Sequence, residues 1–216
     1  NQGKSWQKVV NGIPNDVYVR VVREDPKIEG LLYAGTERGL YISFNNGQNW
    51  SLFQLNLPVC PITDITFRNN DMIVSTSGRS FWILDDLSPV QQIKSGGSTQ
   101  IHIVNGQAAI RMEMGQSTQP GVGQNPLNGM MIDYFLPQKM DSVEVKLNIF
   151  DSQGSLVRSY SSKKDSTYQR YDGGPAAEPN IPVKKGLNRF SWDLRREPMP
   201  GINKIFIYGD YRGTLV

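Results

Sequence analysis

Short apolar runs separated by turn residues dominate the first half of the chain. The first of them alternates apolar Val17, Val19 and Val21 with Tyr18, Arg20 and Val22. Asn46-Gly47 lies between two later runs, and Asn-Gly between apolar runs is the strongest local hairpin signal. The pattern predicts four antiparallel strands at 17–22, 31–35, 40–44 and 51–55.

A second set of apolar runs follows at 62–67, 72–76 and 81–84. We expect a fourth strand at 100–104 to complete this set. Between the last two runs, Ser88 precedes Pro89, and Pro is favoured at the first helical position. The segment 88–93 is therefore predicted to form one short helix with Ser88 as its cap.

Two sequence echoes indicate a repeat. The pattern N-x-G-x-x-W occurs at 1–6 and at 45–50, with the tryptophans 44 positions apart. The stretch 33–42 is echoed by 73–83, with an offset of 41 from Ile42 to Ile83. A period of 40–45 residues built of short strands is typical of β-propeller blades.

The repeat ends near residue 104, and the composition changes. Residues 105–129 are rich in Gly, Gln and Asn and are predicted to be a linker or mobile loop. Further strands are predicted at 131–136, 143–149, 156–160 and 186–193. The second half is therefore a separate β region.

Composition excludes several classes of site. The 216 residues include 21 Gly and 13 Pro, which favours many short elements. A net charge of +3, evenly spread, does not indicate nucleic-acid binding. No apolar run approaches the length of a membrane span. Cys60 is the one cysteine of the sequence and His102 the one histidine, which excludes an internal disulfide and a Cys/His zinc site. We expect no metal and no cofactor.

The N-x-G-x-x-W turns resemble the Asp box of sialidase-type (BNR) repeats, S/T-x-D-x-G-x-x-W. Asn45 stands where the family usually has Asp, and Asn makes the same turn bond to the backbone. The resemblance implies a structural role for these residues: Ser43, Asn45, Gly47 and Trp50 in one box, Asn1, Gly3 and Trp6 in the other.

The stretch 77–86 resembles the end of the propeller in large secreted bacterial proteins with sortilin-like, BNR-type repeats. These proteins are often classed as glycosyl hydrolases. Members commonly have His where this chain has Ser77, which removes one possible ligand or base. The resemblance implies a secreted, periplasmic or cell-surface bacterial protein. The chain begins with Asn1 rather than Met, so we expect it to belong to a longer protein.

Two motifs of the second half resemble FlgD-like immunoglobulin-type modules. They are D-x-x-G-x-x-V-R, from Asp151 to Arg158, and G-x-N-x-x-x-W-D, from Gly186 to Asp193. Trp192 would be the core aromatic residue of such a sandwich. The predicted fold is all-β: a partial β-propeller of about two blades over 1–104, the linker 105–129, and an immunoglobulin-like β-sandwich over 130–216.

The turns that join the second and third strand of each predicted blade carry Glu37, Arg38 and Arg79. These turns lie at one mouth of a propeller channel, where two arginines hold a carboxylate, sulfate or phosphate. The alternative is that the arginines pair with Glu37, Asp64 or Asp85 within the fold. Asp85 and Asp86 are adjacent and point to opposite faces, so they do not form a catalytic pair.

Two functions remain open at this point. The first is a non-catalytic module that binds a glycan, protein or peptide ligand, with the immunoglobulin-like domain as a spacer. The second is part of a glycoside hydrolase whose catalytic residues lie mainly on blades outside this chain, since no catalytic residue is predicted within it. An incomplete set of blades would also leave open blade edges, through which we expect self-association to be possible.

Overall fold

A computed structural model describes residues 3–93, 100–109, 119–120, 129–169, 177–198 and 212–216. The chain divides into two compact units, Asn1–Gly97 and Ser98–Val216. All named strand pairs are antiparallel, and the described part contains one short helix. The all-β class is confirmed. The predicted linker 105–129 lies largely outside the described residues.

The first unit begins with a four-stranded sheet in which consecutive strands are neighbours. The strands are β1 (Val19–Glu24), β2 (Leu32–Thr36), β3 (Gly39–Ser43) and β4 (Ser51–Leu52). All four were predicted, although β4 is shorter than expected. Its pairing with β3 is limited to two residue pairs.

A three-stranded sheet follows, with the order β5-β6-β7. Its strands are β5 (Ile62–Arg68), β6 (Asp71–Thr76) and β7 (Phe81–Leu84). The prediction that residues 100–104 form the fourth strand of this sheet is wrong. Residues His102–Ile103 form β8, which pairs with a strand of the second unit. Alternating apolar residues identify a strand but carry no information about its partner.

Helix α1 spans Ser88–Gln92, close to the prediction. The prediction that Ser88 caps this helix is wrong, because Ser88 is the first residue of the helix rather than the residue that precedes the helix. Asp86 takes over the capping role: its Oδ1 accepts the Ser88 backbone N–H at 3.0 Å. The same oxygen accepts a hydrogen bond from Asn70 Nδ2 at 3.0 Å, which ties the start of α1 to the β5–β6 turn.

The two sheets of the first unit enclose one apolar core. Tyr33 and Ile42 from the first sheet are buried together with Ile62, Ile65 and Met72 from the second. The sheets approach most closely at Gly35, where an added Cβ would lie 2.6 Å from Ile62 Cγ2. On its other face, the first sheet is covered by the segment around Ile13 and Val17.

The described part of the second unit contains two antiparallel sheets that share one core. Strands β8, β9 (Met130–Leu136) and β12 (Gly186–Trp192) form one sheet in the order β12-β9-β8, and β10 (Lys146–Phe150) pairs with β11 (Leu156–Ser161) in the other. Both sheets contribute buried residues to the same cluster. Trp192 is buried within it as predicted, and its Nε1 donates to the carbonyl of Arg195 at 3.0 Å.

The two motifs of the second half form hydrogen-bonded turns. Asp151 Oδ1 accepts the N–H groups of Gln153 and Ser155 at 2.9 and 2.8 Å, and Gly154 has a positive φ of 80°. Asn188 exchanges hydrogen bonds with the Lys184 backbone at 2.8 and 3.0 Å. The first motif therefore fixes the β10–β11 turn, and the second fixes the bend that leads into β12.

Tyr33 allows the core of the first unit to be tested by pH. Burial, and then the nearby Asp25 carboxylate, raises the pKa of Tyr33. The native phenol therefore keeps its proton at pH values where the unfolded chain, with a pKa near 10, has lost it. This contribution to stability is full below pH 10 and declines above it.

From about pH 8 to pH 11, the free energy of unfolding should fall by about 1.4 kcal/mol more in the wild type than in Tyr33→Phe. Urea unfolding of both proteins at the two pH values measures the difference. Equal falls in the two proteins would show that Tyr33 ionises in the native state as it does in the unfolded chain.

Candidate functional site

The β2–β3 and β6–β7 turns are built in the same way. Thr36 Oγ1 donates to the carbonyl of Gly39 at 2.8 Å and accepts the N–H of Arg38 at 3.1 Å. In the second turn Thr76 makes the equivalent two bonds, at 2.7 and 3.1 Å, and the N–H it accepts is that of Arg79. Each turn thus places one arginine after a bracing threonine.

These two arginine turns lie at the same end of the first unit. Gly35, beside the first turn, lies against Ile62. Ile62 is in turn paired with Thr76, at the start of the second turn. Strands β2 and β6 therefore end on the same side, and the arginine expected at each position is found there.

Arg38 is engaged by an acidic residue other than those expected. Its Nη1 lies 2.9 Å from Asp16 Oδ2, and both side chains are largely exposed. Glu37 pairs instead with Arg20, at 2.6 Å between Oε1 and Nη2. Such exposed pairs contribute little to stability, so an anionic ligand competes for these arginines at low cost.

Arg79 differs from Arg38 in having no such partner. Its backbone is hydrogen-bonded, but its exposed guanidinium meets no hydrogen-bonding or ion-pairing group within the described ranges. We refer to Asp16, Arg20, Glu37, Arg38 and Arg79 as the arginine-turn surface. It carries one positive charge in excess. Tyr18, whose carbonyl accepts the N–H of Glu37 at 3.0 Å, adds a ring that is 73% exposed.

The residues of the predicted Asp box lie at the other end of β3 and form a closed turn. Asn45 Oδ1 accepts the N–H of Asn49 at 2.9 Å and the hydroxyl of Ser43 at 3.0 Å. Ser43 Oγ also accepts the N–H of Gly47 at 2.9 Å, and Gly47 has a φ of 80°. Trp50 is buried, with Nε1 donating to the Val9 carbonyl at 2.9 Å.

The N-terminal box is different. Gly3 has the same positive φ of 80° as Gly47, but the side chain of Trp6 is 92% exposed. Asn1 lies outside the described residues. The ring of Trp6 is therefore not buried as that of Trp50 is.

Among the described residues, the other chemically reactive side chains do not form a site with each other. Asp86 is committed to capping α1, whereas Asp85 is exposed. His102 stacks on Phe135 with 5.6 Å between ring centroids, and Cys60 is a buried thiol in the core. Within the described ranges, no group of three His, Cys, Asp or Glu residues is placed to hold a metal ion.

A buried arginine in the second unit, Arg158, was not predicted from the sequence. Arg158 donates from Nη2 to Glu178 Oε1 at 2.6 Å, donates to the carbonyl of Arg196, and lies 5.3 Å from the ring centroid of Tyr160. Burial alone lowers the pKa of Arg158, but Glu178 and neighbouring groups outweigh it and raise the pKa. The motif D-x-x-G-x-x-V-R ends on Arg158, and it was the one sequence feature that could have indicated the role of this residue.

A cleft of about 250 Å³ adjoins Arg158. Its charged lining is mixed, because Arg158 and Arg212 line it together with Glu178 and Asp193. Because Arg158 is already bonded to protein acceptors, its main role is to hold β11 to the segments that flank this cleft.

Comparison of the chain with protein-family models, curated proteins and solved structures found no match. In the described part of the chain, no helix has the length and apolar character needed to cross a bilayer. The geometry of the first unit therefore carries the functional proposal.

The Asp-box turn is tested by a pair of substitutions at Asn45. Asn45→Ala removes the oxygen that accepts the Asn49 N–H, and should lower the free energy of unfolding by about 1 kcal/mol. Asn45→Asp keeps that oxygen and should stay close to the wild type. Urea unfolding measures both. An equal loss in the two variants would mean that the acceptor oxygen is not what stabilises the turn.

Proposed function

We propose that the chain is part of a secreted bacterial propeller protein that binds a glycan or protein ligand through the arginine-turn surface. The second unit is proposed to be an immunoglobulin-like spacer. The observation that carries this proposal is the pair of equivalent turns, each presenting one arginine at the same end of the unit.

The sheet order supports the propeller part of the proposal. Consecutive antiparallel neighbours, as in β1-β2-β3-β4 and β5-β6-β7, are the arrangement of propeller blades. The two sheets also have equivalent hydrogen bonds outside their strands. The N–H of Glu37 donates to the carbonyl of Tyr18 at 3.0 Å, and the N–H of Ser77 donates to the carbonyl of Pro61 at 2.9 Å. The two sheets thus share the order of their first three strands and the hydrogen bonds of their arginine turns, although the second turn is one residue longer.

The chemistry of the surface favours a ligand with an anionic group. Guanidinium groups bind carboxylate and sulfate through two parallel hydrogen bonds. Arg79 is available for such a contact, and Arg38 is held only by an exposed ion pair with Asp16. The exposed ring of Tyr18 supplies a face on which a sugar stacks. We therefore propose an acidic glycan or an acidic peptide as the ligand.

Binding to an array of carboxylated glycans, sulfated glycans and acidic peptides tests the proposal. Arg79→Gln should weaken binding to the best ligand about tenfold, because it removes one charge-assisted contact. Arg68→Gln is the matched control, since Arg68 is also exposed but ends β5 at the opposite end of the unit.

Unchanged affinity in Arg79→Gln, or equal losses in the two variants, would contradict the assignment of the surface. Hydrolysis of an array glycan by the full-length protein would favour the glycoside hydrolase alternative over a binding module.

A further inference from the structure

Within the ranges that the structure describes, no strand pairs with the outer edge of β7. It is the last strand of the sheet β5-β6-β7, and the fourth strand expected beside it pairs elsewhere. In the first sheet the corresponding edge of β3 is occupied by β4, and the carbonyl of Leu40 accepts the N–H of Phe53 at 2.8 Å. Phe81 and Ile83 correspond to Leu40 and Ile42, at an offset of 41.

The register of the sheet shows which backbone groups face this edge. Thr76 and Ser80 are opposite each other and joined by a hydrogen bond of 3.2 Å from N–H to carbonyl. Hydrogen-bonded and non-hydrogen-bonded pairs alternate along antiparallel strands. Phe81 and Ile83 therefore occupy non-hydrogen-bonded positions opposite Ser75 and Ile73, and their N–H and C=O groups point away from β6.

The side chains at this edge are apolar and exposed. Phe81 is 76% exposed and Ile83 is 61% exposed, whereas their counterparts Leu40 and Ile42 are buried. Charged residues flank them: Arg79 lies two positions before Phe81, and Asp85 directly follows the strand. Like the guanidinium of Arg79, the Asp85 carboxylate has no hydrogen-bonding or ion-pairing partner in the described part of the chain.

We propose that two copies of the chain pair antiparallel through β7, about a two-fold axis at Trp82. In this register Phe81 of one copy lies opposite Ile83 of the other, and Arg79 lies towards Asp85. The outward N–H and C=O groups of the two facing residues then form four hydrogen bonds across the axis. The two three-stranded sheets become one continuous sheet.

The register follows from the sequence of the edge. The outward backbone groups also allow two other antiparallel pairings, in which the two-fold axis lies at Phe81 or at Ile83. The first would place Ile83 opposite Arg79, and the second would place Phe81 opposite Asp85. Only the pairing centred on Trp82 matches apolar residues with apolar residues and arginine with aspartate, and it does so twice because of the symmetry.

The side of β7 that faces the core also fits an added strand. Beside Trp82 and Leu84 lies a small apolar groove lined by Phe53, Leu55 and Leu57, of which Leu55 is exposed. Residues directly opposite each other in a sheet share a face. Trp82 of the second copy would therefore extend this face towards the groove, and the pairing covers apolar surface on both sides of the sheet.

Sedimentation equilibrium of the full chain, over a roughly hundredfold range of concentration, tests the proposal. The wild type should show a reversible monomer–dimer equilibrium. Asp85→Arg places like charges together twice and should weaken association about tenfold. The double variant Arg79→Asp/Asp85→Arg exchanges the two charges and should restore association towards the wild-type level.

Two further variants complete the test. Ile83→Pro removes an outward N–H and should abolish the dimer, with circular dichroism used to verify that the sheets remain folded. Glu29→Arg makes the same charge change at an exposed position away from β7 and should leave association unchanged. A monomeric wild type at all concentrations would overturn the proposal, as would a dimer that the charge exchange fails to restore.

Discussion

The close contact between Gly35 and Ile62 is the constraint on which the first unit depends. A Cβ at residue 35 would lie 2.6 Å from Ile62 Cγ2 and 2.7 Å from Val21 Cγ1, distances that real Cβ atoms do not adopt. The absence of a side chain there lets the second sheet lie directly on the first. Tyr33 and Met72 can then seal one core between the sheets.

This contact also determines where the polar groups of the unit lie. Because Gly35 precedes the first arginine turn and Ile62 is paired with Thr76, the sheets are stacked with their equivalent turns side by side. The threonine of each turn then directs one arginine to the same end, while the hydrogen-bonded turn around Asn45 closes the opposite end of β3. One packing contact thus places the charged arginine turns at one end of the unit and the hydrogen-bonded turn around Asn45 at the other.

The strands were largely predictable from sequence, because alternation of apolar residues follows from burial of one face. The limits of β7, Phe81–Leu84, agree with the prediction. The partners were less predictable, since strand pairing and ion pairing depend on distant segments. His102 was assigned to the wrong sheet, and the partner of Arg38 proved to be Asp16, at a distance of 22 positions in the sequence. The buried Arg158 was missed because its acceptors come from separate loops.

Arg79 links the two surfaces proposed for the first unit. Its backbone belongs to an arginine turn, and its position two residues before Phe81 also places it at the end of the open β7 edge. An anionic ligand and the Asp85 carboxylate of a second copy would therefore compete for the same guanidinium group. Since two ligands that compete for one group oppose each other by mass action, ligand binding and pairing through β7 are expected to be antagonistic. The residue without a partner is therefore the one through which binding would control assembly.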